Sequence, residues 1–199
     1  MADQVATKKA GFKTVFEVGP HHRDQAQGID EKFQQAIAPA TVNFDFGNIR
    51  EAAGTIPDSA IVKIVRGWAL QETAPVHVMV LSLKEAVRQA LPQPFASPAF
   101  WDKAELALTG AFLGLAEQEG EPGLSFYREA ADSTSYYRDL LFALQDEETE
   151  EFMYAIAFCV DVTVGLAKAE LASLTAEDVA PFTIRLNAIA VRQELQAAA

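Results

Sequence analysis

From Glu151 to Gly165 the chain reads EFMYAIAFCVDVTVG, and successive side chains fall into two unlike sets. Phe152, Tyr154, Ile156, Phe158, Val160, Val162 and Val164 make one face of an extended segment, bulky and apolar. Met153, Ala155, Ala157, Cys159, Asp161, Thr163 and Gly165 make the other, small and only partly polar. A strand with neither face frankly polar is covered on both sides, as at the centre of a sheet. The segment also exceeds the ~9–11 residues with which a tilted strand crosses a bilayer, so the pattern fits a buried sheet strand or a membrane barrel.

Upstream, Phe12 to Val18 alternates well enough for a first strand, ended by Gly19 and Pro20. Asp24 to Ala38 predicts a helix, with Ile29, Phe33 and Ile37 at helical spacing and Pro39 as its stop, and a second short helix is expected from Asn43 to Gly54. After the turn signal Pro57-Asp58, the β-branched run Ala60 to Leu70, with Ile61, Ile64, Val65 and Trp68, predicts a strand, helix being the weaker alternative. Pro75 to Leu91 places Val76, Val80, Leu83, Val87 and Leu91 on one stripe of an amphipathic helix, although its opening PVHVMV also suits a strand. Ser97 and Pro98 supply an N-cap and a first-turn proline for a further helix to about Glu119. Gly110 and Gly114 on that helix predict the close approach of another backbone.

From Leu124 onward the period changes to two. Leu124 to Glu129 suits a strand, and Ser135 to Gln145 sets Tyr136, Leu140, Phe142 and Leu144 on one face. The acidic run Asp146 to Glu151 then reads as a hairpin connection into the long strand. After a break at Leu174 to Asp178, Val179 to Arg192 alternates Phe182, Ile184, Leu186, Ala188 and Ala190 with Thr183, Arg185 and Asn187. Strand, helices, strand, helix pair and a block of strands together predict an α+β fold with a mainly antiparallel sheet.

Composition narrows this picture. The 199 residues, half of them hydrophobic, suffice for one sizeable core, and no Gly/Ser-rich or Pro-rich linker divides them, so one domain spanning 1–199 is expected, with flexible ends at about 1–10 and 193–199. A formal charge of -12 argues against nucleic acid and against strong attraction to anionic lipid. Cys159 is the only cysteine, so no intrachain disulfide framework exists, and it reads as a buried inert thiol. The lysines near the N-terminus are followed by no apolar stretch, so no conventional secretory signal is visible. The longest nearly uncharged apolar run, Leu106 to Ala116, falls far short of the ~20 residues of a spanning helix, and a chain soluble as made is expected.

Candidate chemistry is sparse. His21 and His22 with Asp24 have metal-ligand character, but adjacent histidines on an extended segment point apart and nothing nearby completes a site. His77 stands alone on an apolar segment and reads as packed or capped. The DEETEE cluster lacks the spacing and central glycine of a calcium loop and reads as a solvated turn. Nucleophile-elbow, dinucleotide, P-loop and zinc-protease motifs are absent, so no catalytic, cofactor or metal residue is assigned. Tyr136-Tyr137 and Phe100-Trp101 suit either a lipid interface or the core and its rim.

A resemblance enters through the C-terminal segments. Glu129-Ala130-Ala131 with Thr134, Tyr136 and Leu141-Phe142-Ala143-Leu144-Gln145 are followed by Phe152-Met153-Tyr154-Ala155-Ile156, Val162-Thr163-Val164 and Pro181-Phe182-Thr183-Ile184-Arg185-Leu186. In this order the segments resemble the Cyt-type cytolytic δ-endotoxins, bacterial insecticidal pore-formers with haemolytic fungal relatives. The resemblance implies a single-domain three-layer α/β/α sandwich, with the sheet between helix hairpins. It implies a soluble form that binds phospholipid without a protein receptor, loses its helical cover, and forms pores as a homo-oligomer on the membrane or disrupts the bilayer.

Membrane-contact candidates on that basis are Val80, Leu83, Val87, Leu106, Phe112 and Leu113 of the helix pair, and Phe152, Ile156 and Phe158 of the long strand. If all six helix-pair side chains are buried, their ~1.5–3 kcal/mol each comes to about 9–18 kcal/mol. That equals the whole ~5–15 kcal/mol stability of a domain, so the pair stays docked in water and lipid must replace the lost cover. The rival expectation is a non-lytic module that retains the fold and holds a lipid or other apolar ligand between helices and sheet.

Overall fold

The computed structural model describes residues 11–37, 44–91, 98–146 and 150–197. In chain order the elements are β1 (Lys13–Glu17), α1 (Arg23–Ala36), α2 (Phe46–Gly54), β2 (Ser59–Pro75), α3 (Val76–Ala90), α4 (Pro98–Thr109), β3 (Leu124–Glu129), β4 (Thr134–Gln145), β5 (Phe152–Val164), α5 (Lys168–Leu171) and β6 (Val179–Glu194). One sheet runs β1-β4-β5-β6-β2, with β3 also paired to β4. All pairings are antiparallel except β1 with β4.

Strand β5 lies between β4 and β6, as its two covered faces predict, and every residue from Met153 to Val160 is buried. The outer edge of β4 is shared end to end: β3 pairs with residues 134–138 and β1 with residues 140–144. At the junction the Asp139 amide donates to the Gly123 carbonyl at 2.8 Å. Gly123 has φ 83°, and a Cβ there would sit 2.4 Å from the Asp139 carbonyl oxygen, so only glycine lets the two short strands meet.

Because side chains alternate along each strand, the sheet builds two cores. Even-numbered positions of β4, β5 and β6 pack beneath α3 and α4, whereas Leu141, Ala143, Met153, Ala155, Ala157, Cys159, Ile189 and Val191 pack beneath α1 and α2. Helix α1 contributes Ile29 and Phe33, and Ile37 just beyond its end, as its spacing predicts. Helix α2 starts where the Asp45 carboxylate accepts the Asn48 amide at 2.9 Å. The segment between α5 and β6 caps α3, since Val76 and His77 amides donate to the carbonyls of Asp178 and Ala176.

Several expectations change. β2 is longer than Ala60 to Leu70, and it is an edge strand whose register shifts near Lys63 and again between Val65 and Trp68, which explains why its apolar residues are only partly covered. The opening of Pro75 to Leu91 is helical from Val76. Helix α4 ends at Thr109 rather than Glu119: Gly114 turns left-handed with φ 67°, and the Gln118 side-chain amide donates to the carbonyls of Gly110 and Leu113, both at 2.9 Å. Gly110 and Gly114 therefore serve a helix end and turn, not helix–helix contact. The histidine pair sits on a 3-10 turn, Pro20–His22, rather than an extended segment. Helix α5 was unforeseen. Pro39, Ser97, the tip of the acidic hairpin and the extreme ends lie outside the described residues.

Candidate functional site

The apolar stripe of α3 buries Val76, Met79, Val80, Leu83, Ala86, Val87 and Ala90, and α4 adds Phe100, Ala104 and Leu108, followed by Ala111, Phe112 and Leu115. These lie over the bulky face of the sheet. Edge-to-face ring pairs fix the fit: Phe100 with Phe142 at 5.8 Å, Phe142 with Phe158 at 5.0 Å, and Phe112 with Phe182 at 5.7 Å between centroids. Directional bonds also cross this seam. The Tyr136 hydroxyl donates to the Ala111 carbonyl at 2.8 Å, with burial pushing its pKa up, and at the rim Lys103 of α4 pairs with Glu17 of β1. Lys84 and Glu105, 2.5 Å apart, link α3 to α4. The two helices are thus linked to each other at the surface and rest on the sheet over a broad apolar contact.

Val80, Leu83, Val87 and Phe112 lie buried in this seam, with Ile156 and Phe158 directly in the sheet below, so the structure gathers these candidates at one interface. Leu113 is half-buried, as is Phe152, whose ring carries the Arg192 guanidinium 4.8 Å from its centroid. Leu106 overturns the assumption that all six helix-pair residues are buried. It is 74 % exposed, because the buried stripe of α4 runs through Phe100, Ala104 and Leu108. The four fully buried candidates on the helix side still account for about 6–12 kcal/mol on burial. Of the aromatic pairs, Tyr136 and Phe100 are core and Trp101 and Tyr137 its rim.

Sequence reasoning passed over Arg138 and Asp139. Period two puts Arg138 on the same buried face as Tyr136 and Leu140, and a charge there was the available signal. Arg138 is fully buried toward the turn after α4, where Nη2 donates to Gln118 Oε1 at 2.5 Å while Nε and Nη1 have no partner. Asp139 points to the opposite side. Its carboxylate oxygens are buried with no N–H or O–H donor among the described residues, and the weakly donating Cys159 thiol of the paired strand lies against it. Burial pulls the Arg138 pKa down and pushes that of Asp139 up to about 7, the latter offset in part by Cys159 and by the Arg138 charge. Cys159 itself is buried, with its thiol pKa raised by that burial.

Metal and catalytic geometry is lacking among the described residues: no group of three His, Cys, Asp or Glu side chains converges. His77 Nδ1 lies 3.0 Å from the Ala176 carbonyl oxygen at the capped start of α3. No helix there is long and apolar enough to cross a membrane, whereas β2, β4, β5 and β6 have 12 to 17 residues each.

Comparison with known proteins agrees over nearly the whole chain. The family described as Bacillus thuringiensis toxin matches residues 3–199. The type-2Aa cytolytic delta-endotoxin of Bacillus thuringiensis subsp. kyushuensis is 33 % identical over 184 residues, covering 92 % of this chain and 71 % of that protein. The type-2Ba toxin of subsp. israelensis is 30 % identical over 92 % of this chain and 70 % of its own. Among solved structures, a delta-endotoxin superposes with TM-score 0.89 at 32 % identity, covering 94 % of this chain and 83 % of that one. The activated Cyt2Ba monomer of subsp. israelensis superposes with TM-score 0.86 at 29 % identity, covering 94 % of this chain and all of that one. With the family match, the 33 % identical relative and the superposed structures in agreement, the chain belongs to the Cyt-type cytolytic delta-endotoxin family.

Proposed function

We propose that this protein is a membrane-disrupting cytolysin that binds phospholipid, and that binding draws α3 and α4 off the bulky face of the sheet as one unit. The observation carrying this reading is the seam itself: a helix pair linked by Lys84 and Glu105 rests on β4, β5 and β6 over a broad aromatic and aliphatic contact, with Tyr136 to Ala111 and Arg138 to Gln118 as directional bonds to the turn after α4. Such a contact is strong in water and loses its advantage where lipid covers both surfaces. The strands beneath, stripped of cover, are long enough to enter a bilayer. Kinship with proteins named as cytolytic endotoxins supports the same reading.

The test is dye release from phosphatidylcholine vesicles by the chain carrying Glu17→Cys and Lys103→Cys, joined by a thiol-cleavable bismaleimide that pins α4 to β1. Buried Cys159 is shielded from the reagent. Release should be suppressed in the linked protein and restored after cleavage. Full release by the linked form would overturn the opening step. Binding without release by the cleaved form would favour a lipid-binding, non-lytic protein.

A further inference from the structure

The helix layer formed by α1 and α2 covers only part of its face of the sheet. Its core ends at Leu141, Cys159 and Ile189, and beyond it the strands present Tyr127 of β3, Tyr137 of β4, Asp161 and Thr163 of β5, Thr183 and Arg185 of β6, and Gln71 of β2, with Ser135 of β4 buried among them. On the opposite face Val162, Val164, Phe182 and Ile184 of the same strands are fully buried. The uncovered end is built rather than merely solvated. Tyr127 stacks on Tyr137 with centroids 4.4 Å apart and planes 24° from parallel. Its hydroxyl reaches across β4 to donate to Asp161 Oδ1 at 2.7 Å, which lays the ring along the sheet while leaving Tyr127 47 % exposed. Burial and the bond to Asp161 push the Tyr127 pKa up to about 12, keeping it a neutral donor. Ser135 and Thr163 hydroxyls are bonded at 2.8 Å beside it.

Two opposite charges complete this surface without neutralising each other by contact. Asp161 and Arg185 are cross-strand partners, yet among the described residues Arg185 is exposed and makes no ion pair. Next to them a groove of about 480 Å³ runs between Thr163, Gly165, Pro181, Thr183, Gln71 and Thr73.

We propose that this uncovered end is a site for the phosphocholine headgroup of a lipid, the quaternary ammonium resting on the Tyr127 ring beside Asp161 and the phosphate bonding Arg185. A tyrosine face next to a carboxylate suits a cation that is bulky and cannot donate a hydrogen bond, and an exposed guanidinium suits phosphate. Asp161 and Arg185 are the cross-strand neighbours here, and such positions lie ~4.5–5.5 Å apart, about the reach of the two-carbon link between an ammonium beside Asp161 and a phosphate on Arg185. The pairing of charges also selects. An anionic headgroup would meet Asp161 and the -12 of the whole chain, whereas a zwitterion finds a partner for each end.

This inference rests on the membrane-binding reading, and two measurements separate them. Vesicles of phosphatidylcholine and of phosphatidylglycerol with the same acyl chains are sedimented with the protein and with the Tyr127→Ala and Arg185→Gln variants, Arg185 being exposed. Separately, free phosphocholine is titrated while the tyrosine ring resonances are followed. Each substitution should weaken binding to phosphatidylcholine vesicles roughly three- to tenfold, with unchanged circular dichroism, and phosphocholine should shift the Tyr127 and Tyr137 resonances. Equal binding to both vesicles with no effect of either variant would overturn the site and leave the membrane reading standing. Ring shifts with phosphocholine but no vesicle binding would keep the site and sink the membrane reading. Shifts caused by a soluble oligosaccharide and not by phosphocholine would reassign the surface to a glycan.

Discussion

Toward α3 and α4 the central strands present Phe142, Phe158 and Phe182, whereas toward α1 and α2 they present Ala143, Ala155, Ala157 and Cys159. The first face is thick, runs the length of the sheet and interlocks through rings. The second is thin, lets its helices sit close, and gives way to polar groups at one end. Large side chains meeting large side chains make a seam whose strength depends on excluding water. Small ones make a seam that depends on fit, with little room for added volume. The difference teaches that a sheet can hold two covers by different physics, one resting on the exclusion of water and one on close fit.

The largest expected effect tests the thick face. Phe158→Ala should lower unfolding free energy by ~3–5 kcal/mol, because its fully buried ring lies against Phe142 and its removal leaves a cavity; urea denaturation measures it, and a loss below about 1 kcal/mol would erase the contrast.

Next comes pH, which probes the thin face. Asp139 titrates at about 7 when folded against 3.8 as its ordinary value, so the folded state holds the proton longer. Its contribution is full below about pH 4 and is lost as pH rises to 7, an effect on the order of 4 kcal/mol. Asp139→Asn should flatten that part of the stability–pH profile; an unchanged slope would show that the carboxylate is hydrated and the thin face open.

A third test overfills rather than empties. Ala157→Leu, buried beneath α1 and α2, should destabilise by ~1–3 kcal/mol through lack of room, and thermal melting of the variant would reveal tolerance if the thin face were loose.

The smallest effect on stability belongs to Leu106. Leu106→Gln on the exposed side of α4 should change stability by no more than about 0.5 kcal/mol, yet weaken vesicle binding, since an outward leucine is the first apolar group of that helix a bilayer would meet. Unaltered binding would take Leu106 off the membrane-contact set.

Much of this architecture was readable from period and volume. The size alternation of Phe152 to Val164 gave the central strand and both of its faces, because in a doubly covered strand size replaces polarity as the signal. The stripe of α3 and the C-terminal alternation were equally plain. What escaped was set by single long-range contacts. Nothing local marks Gln118 as the side chain that folds back onto the end of α4, so the helix looked longer than it is. Leu106 looked buried because an apolar residue on a helix carries no label for its face until the stripe is anchored. Arg138 and Asp139 were hidden by the apolar residues around them, and the headgroup surface by its dispersal over five strands that only the sheet brings side by side.

The parallel strand β1 has a consequence for how the chain is made. Its partner residues 140–144 leave the ribosome more than a hundred residues after it, and β2 waits as long for β6. By the time β4, β5 and β6 emerge, α1, α2, α3 and α4 have all been translated. Vectorial synthesis therefore delivers the residues of both covers before those of the central strands they hide.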